Sequence, residues 1–249
     1  MQLPLFYIPE IPDPGTEFEL PEDPSRHIST VLRMQEGEEI QLTDGKGNLY
    51  HSRIVKPHKK HSSVQVESKI STQASKYSYA VAIALLKNSA RFEWFLEKAT
   101  ELGINRIVPL ITARTEKQHY KEERSRAILI SAMMQSGQTW LPQLEAPQRI
   151  DAFLSKIQPA SGNDFFIAHC MNTPKEYFAN VLLTASNNRI IMIGPEGDFT
   201  GEELEAALQK GAVPVSLGSS RLRAETAGMV AATLIKLINP PVPQGDEVH

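Results

Sequence analysis

The sequence predicts an α/β protein in which a parallel sheet, covered by helices on both faces, follows a small β-rich domain. Three observations predict it. From Tyr79 onward, short aliphatic runs alternate with segments of helical periodicity, as in a parallel sheet with crossover helices. Between Glu39 and Ile70 the pattern is instead period-two alternation broken by turn dipeptides, the mark of hairpins. The chain of 249 residues, 41% hydrophobic and 22% charged, is long enough for two such bodies with a core each. The division falls at residues 1–76 and 77–249.

Residues 1–24 are rich in proline and acids and read as an irregular or edge segment. A short amphipathic piece follows at Ile28–Met34, in which Val31 and Leu32 are expected in the core. Alternation sets in at Glu39-Ile40-Gln41-Leu42. Asp44-Gly45 and Gly47-Asn48 supply turn chemistry, Tyr50–Val55 answers as the partner strand, and SSVQVESKI continues the pattern. These strands suggest a small barrel ending near Lys76. Tyr79–Leu86 opens the larger domain as a fully apolar, buried strand. Asn88 or Ser89 can cap the next helix, whose Phe92, Phe95, Leu96, Ala99 and Leu102 form one stripe ended by Gly103. Strand Arg106–Ile111, helix Glu122–Gln135, strand Asp164–Ala168 and helix Pro174–Leu183 continue the alternation.

Arg189–Ile238 holds two successive units of strand, glycine-bearing loop and helix. Arg189–Ile193 is a strand closed by Gly194, and the loop runs to Phe199. A helix opens at Thr200, where Glu203 completes a capping box, and Gly211 stops it. Val213–Leu217 is the second strand, Gly218–Arg223 the second loop and Ala224–Ile238 the closing helix. Ligands of open α/β sheets bind at the carboxyl ends of strands, where such loops gather. Glycine there lets backbone groups approach a ligand with no Cβ in the way. The active site is expected here.

GPEGDF (residues 194–199) and LGSSRLRAETA (217–227) resemble the paired signatures of the ribosomal small-subunit RNA uridine-N3 methyltransferases (RsmE type), members of the SPOUT superfamily. Asp198 stands where a second glycine is customary, and Arg221 where an aliphatic residue is. His27, Val31, Leu32 and Arg33 match the family's HxxxVLR. EKATELG (97–103), ITART (111–115) and QSGQTWLP (135–142, with Gln138 for the usual arginine) extend the resemblance from about His27 to Leu237. The resemblance implies a C-terminal SPOUT domain with a trefoil-knotted parallel sheet and an N-terminal PUA-like RNA-binding barrel. It also implies S-adenosyl-L-methionine as cofactor, a homodimer, and small-subunit ribosomal RNA or the assembled subunit as partner. Cofactor-lining residues would be Cys170, Met171, Ile193, Gly194, Pro195, Glu196, Gly197, Leu217, Gly218, Ser219, Leu222, Arg223 and Thr226. Cys170, beside His169, has two further readings: a buried strand-end cysteine or a thiol nucleophile.

Methyl transfer from a sulfonium is an in-line displacement, so positioning is the protein's main contribution. Uracil N3 bears a proton on the pairing edge, and a cation near the ring oxygens would stabilise the charge that develops as it leaves. Arg223 fits that role, or the holding of a phosphate. Glu196 and Glu225 are candidate proton acceptors, although an acid in a helix's first turn, as Glu225 is, is favourable without catalytic duty. For RNA the candidates are Arg26, Arg33, Lys98 and Arg114, against a reading of surface ion pairs for the first two and solvated surface for Lys98.

A formal charge of −3 argues against a general nucleic-acid coat, but its distribution is uneven. Residues 1–24 carry six acids and no Lys or Arg, whereas residues 25–76 carry nine Lys or Arg against five acids. That is a basic face suited to one polyanion, or an ordinary solvated face. A single cysteine excludes an internal disulfide framework and suits a reducing compartment. No membrane-spanning run and no secretory signal are apparent, so a cytoplasmic location is expected. His51–His61 holds three His and four Lys or Arg, but irregular spacing, no cysteine and Pro57 weigh against a metal, and none is expected. GxGxxG, GxxxxGK[ST] and GxSxG are absent. A non-catalytic RNA-binding or ribosome-assembly factor, or a SPOUT enzyme for another RNA, are the competing readings.

Overall fold

The computed structural model describes residues 3–157, 163–185 and 188–238. The chain divides into two compact units, Met1–Ala74 with Met133–Leu141, and Ser75–Ala132 with the chain from Pro142 onward. The first unit contains β1 (Leu5–Tyr7), β2 (Glu17–Glu19), α1 (Glu22–Arg26), β3 (Glu39–Thr43), β4 (Asn48–Lys56) and β5 (Ser63–Ser71). Its strands form a five-stranded half-barrel in the order β1-β3-β4-β5-β2, antiparallel except for the β1–β3 pair. The acidic N-terminal segment thus supplies both edge strands. Alternation along β3, β4 and β5 turns Ile40, Leu42, Tyr50, Ile54, Val64 and Val66 inward, where Phe6, Ile8, Leu20 and Ile28 join them.

Val31 and Leu32 correct the sequence expectation: they are 64% and 42% exposed. The helix that begins as α1 continues through His27–Val31 as one widened π turn, in which the Leu32 N–H donates to the His27 carbonyl at 2.9 Å. The extra residue in that turn keeps Ile28 inside and rotates Val31 and Leu32 outward. Arg33 then ends the turn in the left-handed region, at φ 53°.

The segment 133–141 packs with this first unit through the β3–β4 hairpin. Gly47 N–H donates to the Thr139 carbonyl and Leu141 N–H to the Gly45 carbonyl, both at 2.9 Å. Gly47 has φ 88°, and a Cβ there would lie 2.4 Å from the Trp140 ring and 2.7 Å from the Thr72 carbonyl oxygen. Glycine is required twice over, by dihedral and by space.

The second unit holds β6 (Ser78–Ala84), α2 (Ser89–Glu101), β7 (Arg106–Ile111), α3 (Glu122–Gln135), β8 (Gln143–Leu144), β9 (Gln148–Arg149), α4 (Ile150–Lys156), β10 (Asn163–Ala168), β11 (Glu176–Tyr177), α5 (Phe178–Leu182), β12 (Asn188–Ile193), α6 (Gly201–Gln209), β13 (Val213–Ser216) and α7 (Ala224–Ile238). The end of α3 extends into the segment that packs with the first unit. The sheet is parallel, in the order β11-β13-β10-β12-β6-β7-β8, and β7 also pairs with β9. Caps fall where the side chains dictate: Asn88 accepts from the Ala90 N–H, and Thr200 and Glu203 form a complete capping box. The expected helix Pro174–Leu183 is shorter, α5 being preceded by β11. The two-residue strands and α4 are too short to leave a periodic trace in the sequence.

β12 lies between β10 and β6, so the chain leaves it, crosses beyond β10 to form β13, and returns along α7 to pack on α2, α5, β6 and β12. The face opposite α7 buries Ala82, Val108, Ile167 and Met192 under Phe153, Leu154, Leu204 and Ala207 of α4 and α6. This interleaving sets the carboxyl ends of β10, β12 and β13 side by side. Gly47→Ala should destabilise the fold by about 2–4 kcal/mol, combining left-handed strain with overpacking against Trp140. Denaturant unfolding of Gly47→Ala and of the relieved pair Gly47→Ala/Trp140→Ala checks it; a single variant as stable as the parent would contradict the close approach.

Candidate active site

A cavity of about 580 Å³ opens where the β10, β12 and β13 ends meet the start of α7. Of the residues expected around a ligand, Cys170, Ile193, Gly194, Pro195, Glu196, Leu217, Gly218, Ser219, Leu222 and Arg223 lie on its wall. Met171, Gly197 and Thr226 are not among its lining residues. Met171 packs against the apolar core, and Gly197 faces the stem of Arg114. Cys170 is exposed on the cavity wall, which corrects its reading as a buried strand-end cysteine.

The loop Gly194–Phe199 is anchored at one end by Phe199, whose ring is wholly buried in the core. It is then gripped from three sides. The Lys87 N–H, after β6, donates to the Glu196 carboxylate at 3.2 Å. Arg114, after β7, donates through Nη1 to the carbonyls of Gly197 at 2.6 Å and Phe199 at 3.2 Å. The Cys170 N–H, after β10, donates to Asp198 Oδ2 at 2.8 Å. Glu203 adds a fourth tie: one carboxylate oxygen completes the capping box and the other accepts from the Ala113 N–H at 2.7 Å. Asp198 itself sits at φ 63°, where its second oxygen accepts from the Phe199 N–H at 2.9 Å. Aspartate tolerates this left-handed position better than most residues because its carboxylate can bond the local backbone. Its replacement of the customary glycine therefore preserves the turn and adds a cross-link to the neighbouring loop.

Around the cavity the charges are sorted by engagement. Lys175 donates to the His169 and Met171 carbonyls at 3.0 and 2.8 Å. The guanidinium groups of Arg221 and Arg223, both exposed on the wall, have no hydrogen-bond partner among the described residues. His169 is buried, and its two ring nitrogens lack partners. Burial, reinforced by the charge of Lys175, lowers its pKa, with Asp198 opposing, so the imidazole is neutral. Gly218 has φ 137°, a conformation other residues avoid, while a Cβ there would meet nothing within 4 Å. Its requirement is therefore conformational rather than steric. Among the described residues no group of three or more His, Cys, Asp or Glu is placed to hold a metal ion.

Glu225 stands apart from the cavity. It is buried in the first turn of α7 and faces Arg91 of α2 at 3.6 Å, with Oε2 lacking a hydrogen bond. Arg114, expected at an RNA surface, spends its guanidinium on the loop carbonyls. Lys98 is held within its own helix by Glu97 and Glu101 at 2.7 and 2.8 Å. Arg26 pairs with Asp23 at 2.8 Å in full solvent, whereas Arg33 projects from its left-handed turn. Sequence reasoning missed His169, Lys175, Asp198 and Arg221 as wall residues. Asp198 and Arg221 were visible only as departures from the signatures, and Lys175 left no signal.

Comparison with known proteins places this geometry. A family model described as an RNA methyltransferase domain matches residues 73–236, and one described as an RNA methyltransferase PUA domain matches residues 20–67. The ribosomal RNA small subunit methyltransferase E of Synechocystis sp. is 32% identical over 218 residues, covering 85% of this chain and 70% of that protein. The enzyme of the same name from Rickettsia conorii is 30% identical over 90% of this chain and 91% of its own. The chain belongs to this RNA methyltransferase family. Within the family, a probable rRNA-methyltransferase from Porphyromonas gingivalis superposes with a TM-score of 0.83 at 36% identity, covering 94% of this chain and 97% of that one. The methyltransferase E of Neisseria gonorrhoeae, solved bound to S-adenosyl methionine, gives 0.82 at 29% identity, covering 93% and 95%.

The braces predict separable effects in this member of the family. Asp198→Gly should speed amide exchange at Cys170 with little loss of stability, because glycine accepts the left-handed φ. Asp198→Ala should speed the same exchange and cost a further ~1–2 kcal/mol of backbone strain. Arg114→Ala should speed exchange at the Asp198 amide, which donates to the Pro195 carbonyl at 2.9 Å and closes the loop's turn. Amide hydrogen exchange and denaturant unfolding together check this; unchanged Cys170 protection in both Asp198 variants would remove the cross-link.

Proposed function

We propose that this protein transfers a methyl group from S-adenosyl-L-methionine to N3 of a uridine in small-subunit ribosomal RNA. Residues 77–249 carry the chemistry and residues 1–76 bind RNA. The observation that carries the reading is the meeting of both signature loops on one cavity, with the Arg223 guanidinium unengaged on its wall. A volume of about 580 Å³ lies within the roughly 300–1,000 Å³ typical of small-molecule sites. The bound S-adenosyl methionine of the gonococcal relative supports the choice of ligand.

In this reading the braced loop Gly194–Glu196 and the loop Leu217–Ser219 offer backbone groups to the cofactor, and Leu222 closes an apolar side. The cofactor supplies a methyl carbon made electrophilic by its sulfonium. Arg223 steadies the negative charge that grows on the uracil oxygens as N3 loses its proton. Glu196, on the wall, accepts that proton directly or through water, while the Lys87 N–H, donating to its carboxylate, holds it in place. Glu225, facing α2, is not assigned a proton-transfer role. Arg33, exposed in its left-handed turn, and Arg26 contact phosphate. The family resemblance further supports a trefoil-knotted C-terminal domain, a homodimer and a cytoplasmic location; no helix among the described residues is long and apolar enough to cross a membrane.

Arg223→Ala should lower the single-turnover rate by ~10²–10³ while cofactor and RNA affinities change little, because the interaction strengthens as charge develops. Lys at this position should restore part of the rate, since it keeps charge but loses the planar fork. The assay is methyl transfer at saturating RNA and cofactor, on assembled subunits as well as naked RNA. A full parental rate for Arg223→Ala would sink the catalytic role. Calorimetric titration of the parent with S-adenosyl-L-methionine separates the enzyme from a non-catalytic assembly factor. Charge reversal at Arg33 should weaken RNA binding and flatten its salt dependence, because fewer counterions are released, with cofactor affinity unchanged. An unaltered salt slope would move the phosphate contact elsewhere.

A further inference from the structure

A second cavity, of about 310 Å³, lies at the carboxyl end of β6, bounded by the start of α2 and the approach to α3. Its floor is apolar: Leu85 and Leu86 are buried, and Phe92 meets the Tyr120 ring edge-on at 6.4 Å. Its rim carries a histidine, a lysine and an arginine. His119 and Lys121 are exposed there, and the Arg124 guanidinium is held flat against the Glu93 carboxylate by two bonds of 2.6 and 2.7 Å. The pairing neutralises Glu93, so the rim presents no unpaired carboxylate to a phosphate. The space is about half that of the first cavity.

The two cavities are neighbours. Lys87, the residue after Leu86, donates its backbone N–H to Glu196 on the wall of the first cavity. The chain from Leu86 to Lys87 is thus the ridge between a site for a methyl donor and a smaller chamber with aromatic and guanidinium walls. Single-stranded RNA is recognised by splaying its bases apart and stacking them on aromatic rings or arginine planes, with cations on the backbone. We infer that this second cavity receives one nucleobase of the acceptor RNA strand, a nucleotide flanking the methylated one, which lodges against Phe92, His119, Tyr120 and the Arg124–Glu93 pair while Lys121 meets its phosphate. The inference rests on the methyltransferase reading of the first cavity. It assigns a role in RNA selection to residues outside both signatures.

The test couples the protein to the RNA. A single-stranded fragment bearing the methylated uridine is made with each flanking nucleotide replaced in turn by an abasic ribose. With the parent protein, one flanking abasic position should cost about tenfold in affinity, the loss of one stacked base. Ala90→Trp, at an exposed position on the cavity wall, fills the chamber with an indole, and His119→Ala removes a stacking face at an exposed site; thermal melting confirms that both fold. In each variant the intact fragment should bind about tenfold more weakly, and the same abasic substitution should then cost little more. Affinity for S-adenosyl-L-methionine should stay at the parental value in both. Abasic penalties that are the same in parent and both variants would overturn the second site while leaving the methyltransferase reading intact. A parent that methylates no RNA would overturn both.

Discussion

The site depends on how tightly the loop Gly194–Phe199 is held. Its backbone must stand open to a ligand, which forbids the loop from satisfying itself by folding inward. The structure resolves this by burying Phe199 in the core and gripping the rest from neighbouring strand ends. Lys87, Arg114 and Cys170 lie just beyond β6, β7 and β10, so both strands beside β12 and the next one out each send a hydrogen bond to the loop after β12. Such preorganisation is what an enzyme that works mainly by positioning needs, because a reacting geometry held in advance need not be paid for at the moment of reaction. It also explains why two charged residues with no evident catalytic task, Arg114 and Asp198, lie so close to the cavity.

These braces exist only because the sheet is interleaved. With β12 inserted between β10 and β6, and β13 beyond β10, two strand-loop-helix units adjacent in sequence straddle an earlier strand. The loops after β10, β12 and β13 consequently face one another across a single cavity, and α7 returns with its first turn against it. A simple sequential order would have spread those loops along an edge. The charges then divide by function. Lys175 and Arg114 are consumed in holding loops, Glu196 both ties its loop to Lys87 and stands on the wall, and Arg221 and Arg223 keep their guanidinium groups available there.

The strongest periodic signals in the chain are decided by the residues themselves. The apolar run at Tyr79, the stripe through Phe92 and Phe95, the Thr200–Glu203 capping box and the two Gly-bearing loops are local in origin: dihedral preference, side-chain period and a side chain bonding its own backbone decide them. All appear as β6, α2, α6 and the loops of the cavity. The edge character of residues 1–24 was legible for the same reason, since proline and acids suit a strand with one unpaired side.

Contacts between distant segments decided the rest. Val31 and Leu32 carry an apolar pattern, yet one widened turn rotates them outward, and a single extra residue per turn is invisible in a sequence. Glu225 reads as a candidate proton acceptor from its place in a signature but turns toward Arg91, because its bearing is set by where α7 packs on α2. Arg114 looks like a free cation past a strand end until the strand order puts Gly197 beside it. Asp198 looks like a loss of glycine until its carboxylate finds Cys170, 28 residues away. The sequence by itself determined the longer strands and helices and the open loops of the cavity, because those choices are made within a few residues. Only the tertiary structure decided which charges are spent on bracing and which remain for chemistry, because that depends on which loops the order of strands brings within hydrogen-bonding distance.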